Sequence, residues 1–585
     1  MRKLWMRLAA LLLALLLCLG ASGCTASSSN GDVTTEGTTE GTTQPTVERE
    51  PIVLDYEGDL TPGGTPEIRA EYADLVYVGK GMPAFYYTKE QAIDLLEQIE
   101  DLFVIFRTGT PEELRAAHDK VKSGAFAEME TQEVLAKAEY NLYRNDPKAE
   151  ENHLWMNALY NDASGRLALL YSEIYDSPAA EVFFEGWSQA DIRAQVSKGK
   201  GYDEEVLALQ SEKDALLVQY HELLQQEDFM ETTAALYPEL VRINNAIAQK
   251  MGYDDYMDYA YECIYLREYT PDDIAQVRRV AKEQLMPLYN QVVEELLALE
   301  EQIMAEPEEK QQALFDEMDA RRGLTVDSEE FISYIQSISE SFGATYAELL
   351  EKEYYYMAYD RTLSYTTRYT DKMPSLGQPF LYLGASPVEA KTVIHEYGHY
   401  YAFSVDPGRT VSYDLAELQS QSNEWMYEAY LSGQYDPISD RYVNLLELMI
   451  GMDTVILCVC LDEFEQTVYA NPEKYTDMES LDALYTEIVS GYTDPEMFTG
   501  PSYWRMVLFD WAGYYINYGI SMIPCFELYY LAEIDYESAA QTYLSLSDYE
   551  GYLTFSEVLE RAGLQNPLDA DYRIFALEEL LALMQ

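Results

Sequence analysis

The stretch Lys391-Thr-Val-Ile-His395-Glu396-Tyr-Gly398-His399-Tyr400 constrains this chain more than any other. A spacing of four puts both imidazoles on one face of a helix, where two ring nitrogens can share one Zn²⁺. Glu396 between them is placed to act as general base on a water. The chain has five histidines in 585 residues, so this pattern arises by chance in roughly 0.004 of such chains. The chemistry it implies is metal-assisted hydrolysis of a peptide bond.

The flanking residues predict a helix independently. Ser386-Pro387-Val388-Glu389 reads as a capping box with Pro at the first helical position. Val393, Ile394, Tyr397 and Tyr401 follow as an apolar stripe, and Asp406-Pro407-Gly408 ends the run. Gly398 costs such a helix about 1 kcal/mol relative to Ala. Its presence predicts that a neighbouring backbone comes close there.

A catalytic zinc needs a third protein ligand and an open fourth position. The next helical stretch offers Glu417, Glu424 and Glu428. These lie on one helix face, so spacing does not choose among them. Ala416-Glu417-Leu-Gln-Ser420-Gln-Ser-Asn423-Glu424 resembles the A-E-x-x-S-x-x-N-E segment of oligoendopeptidase F, in the thimet-oligopeptidase-like metallopeptidases. The resemblance implies that Glu417 is the third zinc ligand and Glu424 a supporting acid.

The likeness runs from about residue 236 to 530. Pro379-Phe-Leu-Tyr-Leu383 is similar to the family's short strand, whose backbone would hold a substrate peptide beside the zinc. Arg242 to Tyr259 resembles the helix-turn that opens its catalytic region. Trp504 to Gly519 resembles its Tyr-rich segment, which implies an oxyanion donor among Tyr514, Tyr518 and, third, Tyr515. Two positions depart from the family pattern: Ala402 and Leu508 stand where histidines are usual. The fold implied is mainly α, a two-lobed helical zincin-type metallopeptidase with a small sheet beside the metal helix. The activity implied is cleavage of short peptides at internal bonds. An exopeptidase of the aminopeptidase type would place the third Glu one residue farther on and carry a G-x-M-E-N motif, which this chain lacks. A zinc- or peptide-binding lipoprotein without turnover would not need Glu396.

At the other end, Arg2, Lys3 and Arg7 precede an apolar run from Leu8 to Leu19. That run is too short to span a bilayer and fits a secretory signal. Ala21-Ser22-Gly23-Cys24 resembles a bacterial lipobox, so residues 1–23 read as a lipoprotein signal peptide and Cys24 as the lipidated N-terminus. The resulting expectation is an extracytoplasmic enzyme held to the membrane by a lipid anchor. Residues 24–74 contain a Thr-Thr-Glu-Gly repeat from Thr34 that has little to bury, and they read as a disordered tether. The remainder exceeds what one core usually supports, which predicts an N-terminal helical lobe at 75–235 and a catalytic lobe at 236–585. Helix starts recur at Thr88, Thr110, Thr270 and Asp327-Ser328. The net charge of −64 excludes nucleic acid as a partner. Cys458-Val-Cys460 sits in an apolar run and reads as two buried thiols.

Overall fold

The computed structural model describes residues 52–584, apart from 55, 57, 62–65, 73, 144–145, 202–203, 224–228, 360–367, 386–387, 410, 495–497, 499, 501–502 and 550. The signal segment, Cys24 and the Thr-Glu-Gly repeat lie outside the described residues. The molecule is mainly α-helical with one small sheet.

The N-terminal lobe is built from β1 (Val76–Val78) and five main helices, α1 (Lys89–Thr108), α2 (Pro111–Val121), α3 (Ala127–Leu142), α4 (Pro147–Tyr175) and α5 (Gln189–Lys200). Local signals set the starts: Thr88 accepts from the Gln91 N–H, and Thr110 forms a reciprocal box with Glu113. The core of this lobe runs from Leu60 to Val196 and takes in Tyr356, Tyr369, Phe380 and Tyr382 of the sheet. A second core begins at Val206 and reaches Leu581. Helix α6 (Glu204–Leu223) therefore sends Val206, Leu216 and Tyr220 into this second core, and the change of core falls near residue 200 instead of 235.

The tether expected to reach residue 74 is also shorter. Tyr56 donates to Asp162, the Thr61 N–H donates to Asn152, and Leu60 and Ile68 are buried. Ile52, Leu54, Tyr56, Leu60, Ile68 and Tyr72 thus pack onto the core of the N-terminal lobe.

The sheet joins the lobes. Its order is β1, β2 (Tyr355–Ala358), β4 (Gln378–Ala385), β3 (Tyr369–Met373). The segment expected to offer its backbone to a substrate, Pro379–Leu383, lies in β4, which is interior. Strand β3 occupies one side of β4 from Gln378 to Tyr382, and β2 pairs along the other. Among the described residues, the edge strand beside the helix that carries His395 and His399 is β3.

Helix α7 (Ala390–Val405) carries the His-Glu-x-x-His motif, and α8 (Tyr413–Leu431) follows it. The capping box expected at Ser386 lies partly outside the described residues. Helix α7 instead starts after Glu389, where the Ala390 N–H donates to the Leu324 carbonyl and Glu389 bridges to Thr325. A loop backbone thus does what a side-chain cap would have done. Ser412 caps α8 by accepting from Leu415. Near both lies α9 (Pro437–Ala470), which has an 18-residue window apolar enough to cross a membrane, and that window is entirely buried in the second core. It holds Cys458 and Cys460 as free buried thiols. Helix α10 (Ile516–Ile534) completes the packing, with a Cβ on Gly519 set to meet Cys458 Cβ at 2.7 Å.

Asp453, inside α9 and 2% exposed, gives a stability prediction. Burial pushes its carboxyl up to about 8, with the Tyr289 hydroxyl opposing. The folded value lies above the unfolded value near 3.9, so the native state holds the extra proton. That contribution is whole below about pH 4 and is lost as pH rises through 8, at up to about 1.4 kcal/mol per pH unit. Asp453→Asn should therefore gain in melting temperature over the wild type between pH 5 and pH 8. Calorimetric melting curves that shift in parallel for the two proteins would contradict this.

Candidate active site

Helices α7 and α8 cross at close range, and Gly398 is the reason they can. A Cβ there would sit 2.7 Å from Ser420 Cα and 3.0 Å from the Gln419 carbonyl, far inside contact distance. The expected backbone approach is thus met by the small Ser420 of the partner helix.

This crossing brings His395, His399 and Glu417 together, with one candidate ligand atom from each all within 4.8 Å. Glu417 Oε2 lies 3.6 Å from His395 Nε2 and 3.9 Å from His399 Nε2. Glu417 and His399 are buried to within 1%. The other two acids are placed differently. Glu424 accepts from His395 Nδ1 at 2.7 Å, and Glu428 pairs with Arg321 at 3.1 Å. A carboxylate can only accept, so Nδ1 carries the proton and Nε2 is left to face Glu417 and His399.

Nε2 of His395 is buried without a hydrogen-bond partner. Leaving such an atom unsatisfied costs about 1–3 kcal/mol. Two imidazoles and one carboxylate form the donor set of catalytic zinc sites, which keep one position open. The residues fit a zinc ion, and the orphaned nitrogen points where it would sit.

The electrostatics agree. Burial alone would lower the His395 imidazole, but its hydrogen bond to Glu424 and the nearby Glu417 and Glu396 raise it to about 9. Burial pushes Glu417 up to about 7 against His395 and the hydroxyls of Tyr514 and Ser420. Glu396 is raised by burial too, with His395, Thr370 and Arg368 opposing. Burial and the neighbouring His395 hold His399 well below the usual histidine range. Buried acids gather round two imidazoles here, a deficit of positive charge that a divalent cation corrects.

Glu396 is 1% exposed and held by Thr370 of β3, whose hydroxyl reaches its Oε2 at 3.0 Å and its carbonyl at 2.8 Å. The Tyr514 hydroxyl donates to Glu417 Oε1 at 3.1 Å and lies 3.1 Å from that of Tyr518. Tyr515 is buried, with its ring edge-on to that of Tyr514 at 5.9 Å, and lies within electrostatic reach of Tyr503, Asp510 and Glu465. Ala402 and Leu508, which stand at the usual histidine positions, are both buried apolar residues.

The turn carrying Tyr514 is clamped. Gly513 has φ +76° and donates to both oxygens of Glu465 at 3.0 Å. Arg267 donates to the Gly513 carbonyl at 2.8 Å and lies 3.5 Å from Asp414 of α8. It also packs over the ring of Tyr261 at 4.0 Å. Neither Thr370 nor Arg267 is singled out by sequence: each reaches the site through contacts far along the chain.

No protein-family model and no curated protein matches the chain. Solved structures do. A putative oligoendopeptidase F from Bacillus anthracis str. Ames superimposes with a TM-score of 0.68 at 16% identity, over 86% of this chain and 97% of its own. PZ peptidase A with an inhibitor gives 0.67 at 15% identity over the same shares. Oligoendopeptidase F from Enterococcus faecium gives 0.53 at 15% identity, over 84% of this chain and 98% of its own. The chain thus has the helical two-lobed fold of the oligoendopeptidase F structures, across nearly their whole length.

Proposed function

We propose that the protein is a zinc-dependent endopeptidase of short peptides, acting outside the cytoplasm from a lipid anchor at Cys24. The observation that carries the hydrolytic reading is the buried His395, His399 and Glu417 trio with Glu396 beside it. The neighbouring folds are those of proteins described as peptidases. The anchor rests on the sequence before residue 25.

When bound, zinc supplies a Lewis acid that polarises a carbonyl and acidifies water. His395, His399 and Glu417 would hold it, and Glu424 fixes the tautomer of His395. Glu396 takes the proton of the attacking water and passes it to the leaving amine. Burial raises its basicity, and the Thr370 hydroxyl keeps the carboxylate aimed. The Tyr514 hydroxyl, freed from Glu417, donates to the developing oxyanion, and Tyr518 backs it. Tyr514→Phe should lower kcat by about 10² to 10³ with little change in KM, whereas Tyr515→Phe should stay near the wild type. Equal rates for Tyr514→Phe and wild type in steady-state assays would remove Tyr514 from the mechanism.

Burial also argues for the size of substrate. An extended chain spans at most about 3.6 Å per residue, so several residues must pass between the lobes before a peptide bond reaches so enclosed a site. Folded domains would have to unfold first, at about 5–15 kcal/mol. The test is one cleavable sequence presented in peptides from about six residues upward and in a loop of a folded domain. The peptides should be cut and the folded form left intact, and comparable kcat/KM for both would refute the selectivity.

A further inference from the structure

Three helices meet at a charged node one turn before His395. Lys391 stands four residues ahead of His395 on α7, so the two side chains share a face. Its Nζ lies 2.7 Å from Glu447 Oε2 of α9, and 3.6 and 3.8 Å from Glu428 Oε1 and Glu424 Oε2 of α8. One ammonium thus faces three carboxylates from two other helices.

Each acid has a second partner. Glu447 Oε1 takes Arg322 Nε at 3.1 Å, Glu428 Oε2 takes Arg321 at 3.1 Å, and Glu424 Oε1 takes Nδ1 of His395 at 2.7 Å. The two arginines would hold Glu447 and Glu428 in the absence of Lys391. Glu424 is different: among the described residues Lys391 carries the only ammonium or guanidinium within ion-pair distance of it. Without Lys391, the imidazole itself would be the one group fixing a carboxylate whose side chain is 21% exposed.

Lys391 is anchored well enough to do this. Its ammonium donates to Glu447. Burial would raise the Glu447 carboxyl, but Lys391 and Arg322 hold it below the usual carboxylate range, so the anchor stays ionised. Arg322 ends a helix (Glu308–Arg322) two residues before Leu324, whose carbonyl takes the Ala390 N–H at the start of α7. The first turn of α7 is therefore tied twice to the same segment, through the main chain at Ala390 and through the side chains of Arg322, Glu447 and Lys391.

We propose that Lys391 is a positioning residue for the metal site: anchored by Glu447, it holds Oε2 of Glu424 and so keeps Oε1 on Nδ1 of His395. The inference rests on the reading of His395 as a zinc ligand and deepens it by one residue. A carboxylate that accepts from Nδ1 fixes the tautomer and rotation of a ligand ring, and losing such support lowers metal affinity by about 10- to 100-fold. Lys391 acts one step farther out, so its share is smaller, about three- to tenfold. Its charge alone would do the reverse, because an ammonium near the site repels a divalent cation. The two roles differ in sign.

The test is a double-variant cycle on the full mature chain, with zinc affinity measured by competition against a chromophoric chelator. Lys391→Met should weaken zinc binding about three- to tenfold in the wild type. In Glu424→Ala the same change should not weaken it, since only repulsion is left to remove. Lys391→Arg should restore most of the wild-type affinity. Lys391→Gln, whose amide can still donate to Glu447, repeats the comparison with less disturbance to the fold. In metal-free protein labelled at histidine, the Nδ1 proton of His395 should exchange with solvent faster in Lys391→Met and Lys391→Gln than in the wild type. Unchanged or tighter zinc binding by the Lys391 variants, an equal loss in both backgrounds, or an unchanged exchange rate would overturn the positioning role. A wild-type chain that holds no zinc would refute the hydrolase reading instead, and the exchange rate of the Nδ1 proton would still decide the role of Lys391.

Discussion

Glu396→Gln is expected to bind zinc as the wild type does and to hydrolyse peptides about 10² to 10⁴ times more slowly, the range typical of a lost general base. The substitution keeps the size of the side chain and can still accept from the Thr370 hydroxyl, so the crossing of α7 and α8 should be undisturbed. The Nε2 atoms of His395 and His399 lie 3.6 and 3.9 Å from Glu417 Oε2 and are untouched. Only the group that takes the proton is gone, so the loss should fall on kcat with KM nearly unchanged. Metal analysis and steady-state kinetics on one preparation check both halves. Near-normal turnover by a zinc-loaded variant would show that another group is the base.

The second large effect separates the acids of α8. Glu417→Ala should abolish stoichiometric zinc retention, because Glu417 is fully buried and is the only one of the three acids facing both imidazoles. Glu424→Ala should leave zinc in place with affinity lowered by about 10- to 100-fold, the usual cost of losing a group that orients a ligand. Glu424 touches Nδ1 of His395 and not the nitrogen that faces the trio. Equilibrium dialysis against graded chelator, followed by metal analysis, measures the two affinities. Circular dichroism confirms that each variant is folded. The reverse order would make Glu424 the ligand and Glu417 its support.

The His-Glu-x-x-His motif was legible because its information is local. His395, Glu396 and His399 span barely more than one helical turn, and Gly398 is intelligible only if another backbone approaches, as that of Ser420 does. Thr88 and Thr110 likewise declare their helices within four residues. The choice of Glu417 was not legible from spacing, since three acids share the face and only the crossing angle of two helices distinguishes them. Resemblance singled out Glu417, the acid that the geometry brings to both histidines.

What stayed hidden depends on contacts between distant parts of the chain. Thr370 lies 26 residues from Glu396, in a strand that nothing about its neighbours marks as functional. Arg267 reaches Gly513 across 246 residues. Tyr515 could not be told from Tyr514 until the turn at Gly513 fixed which ring faces Glu417. The start of α7 was misplaced because the Leu324 carbonyl, not a side chain, receives its first N–H. The interior position of β4 followed from β3, whose alternation is obscured by burial of all five of its residues.

The central claim, that the trio and Glu396 form a metal-dependent endopeptidase, is tested most directly by incubating the purified mature chain with a mixed library of short peptides. Mass spectrometry would follow the products with the protein as purified, after chelation, and after zinc is restored. Internal cleavage that disappears with chelator and returns with zinc is the predicted result. Cleavage indifferent to chelator, trimming from the termini alone, or no cleavage by zinc-loaded protein would contradict it.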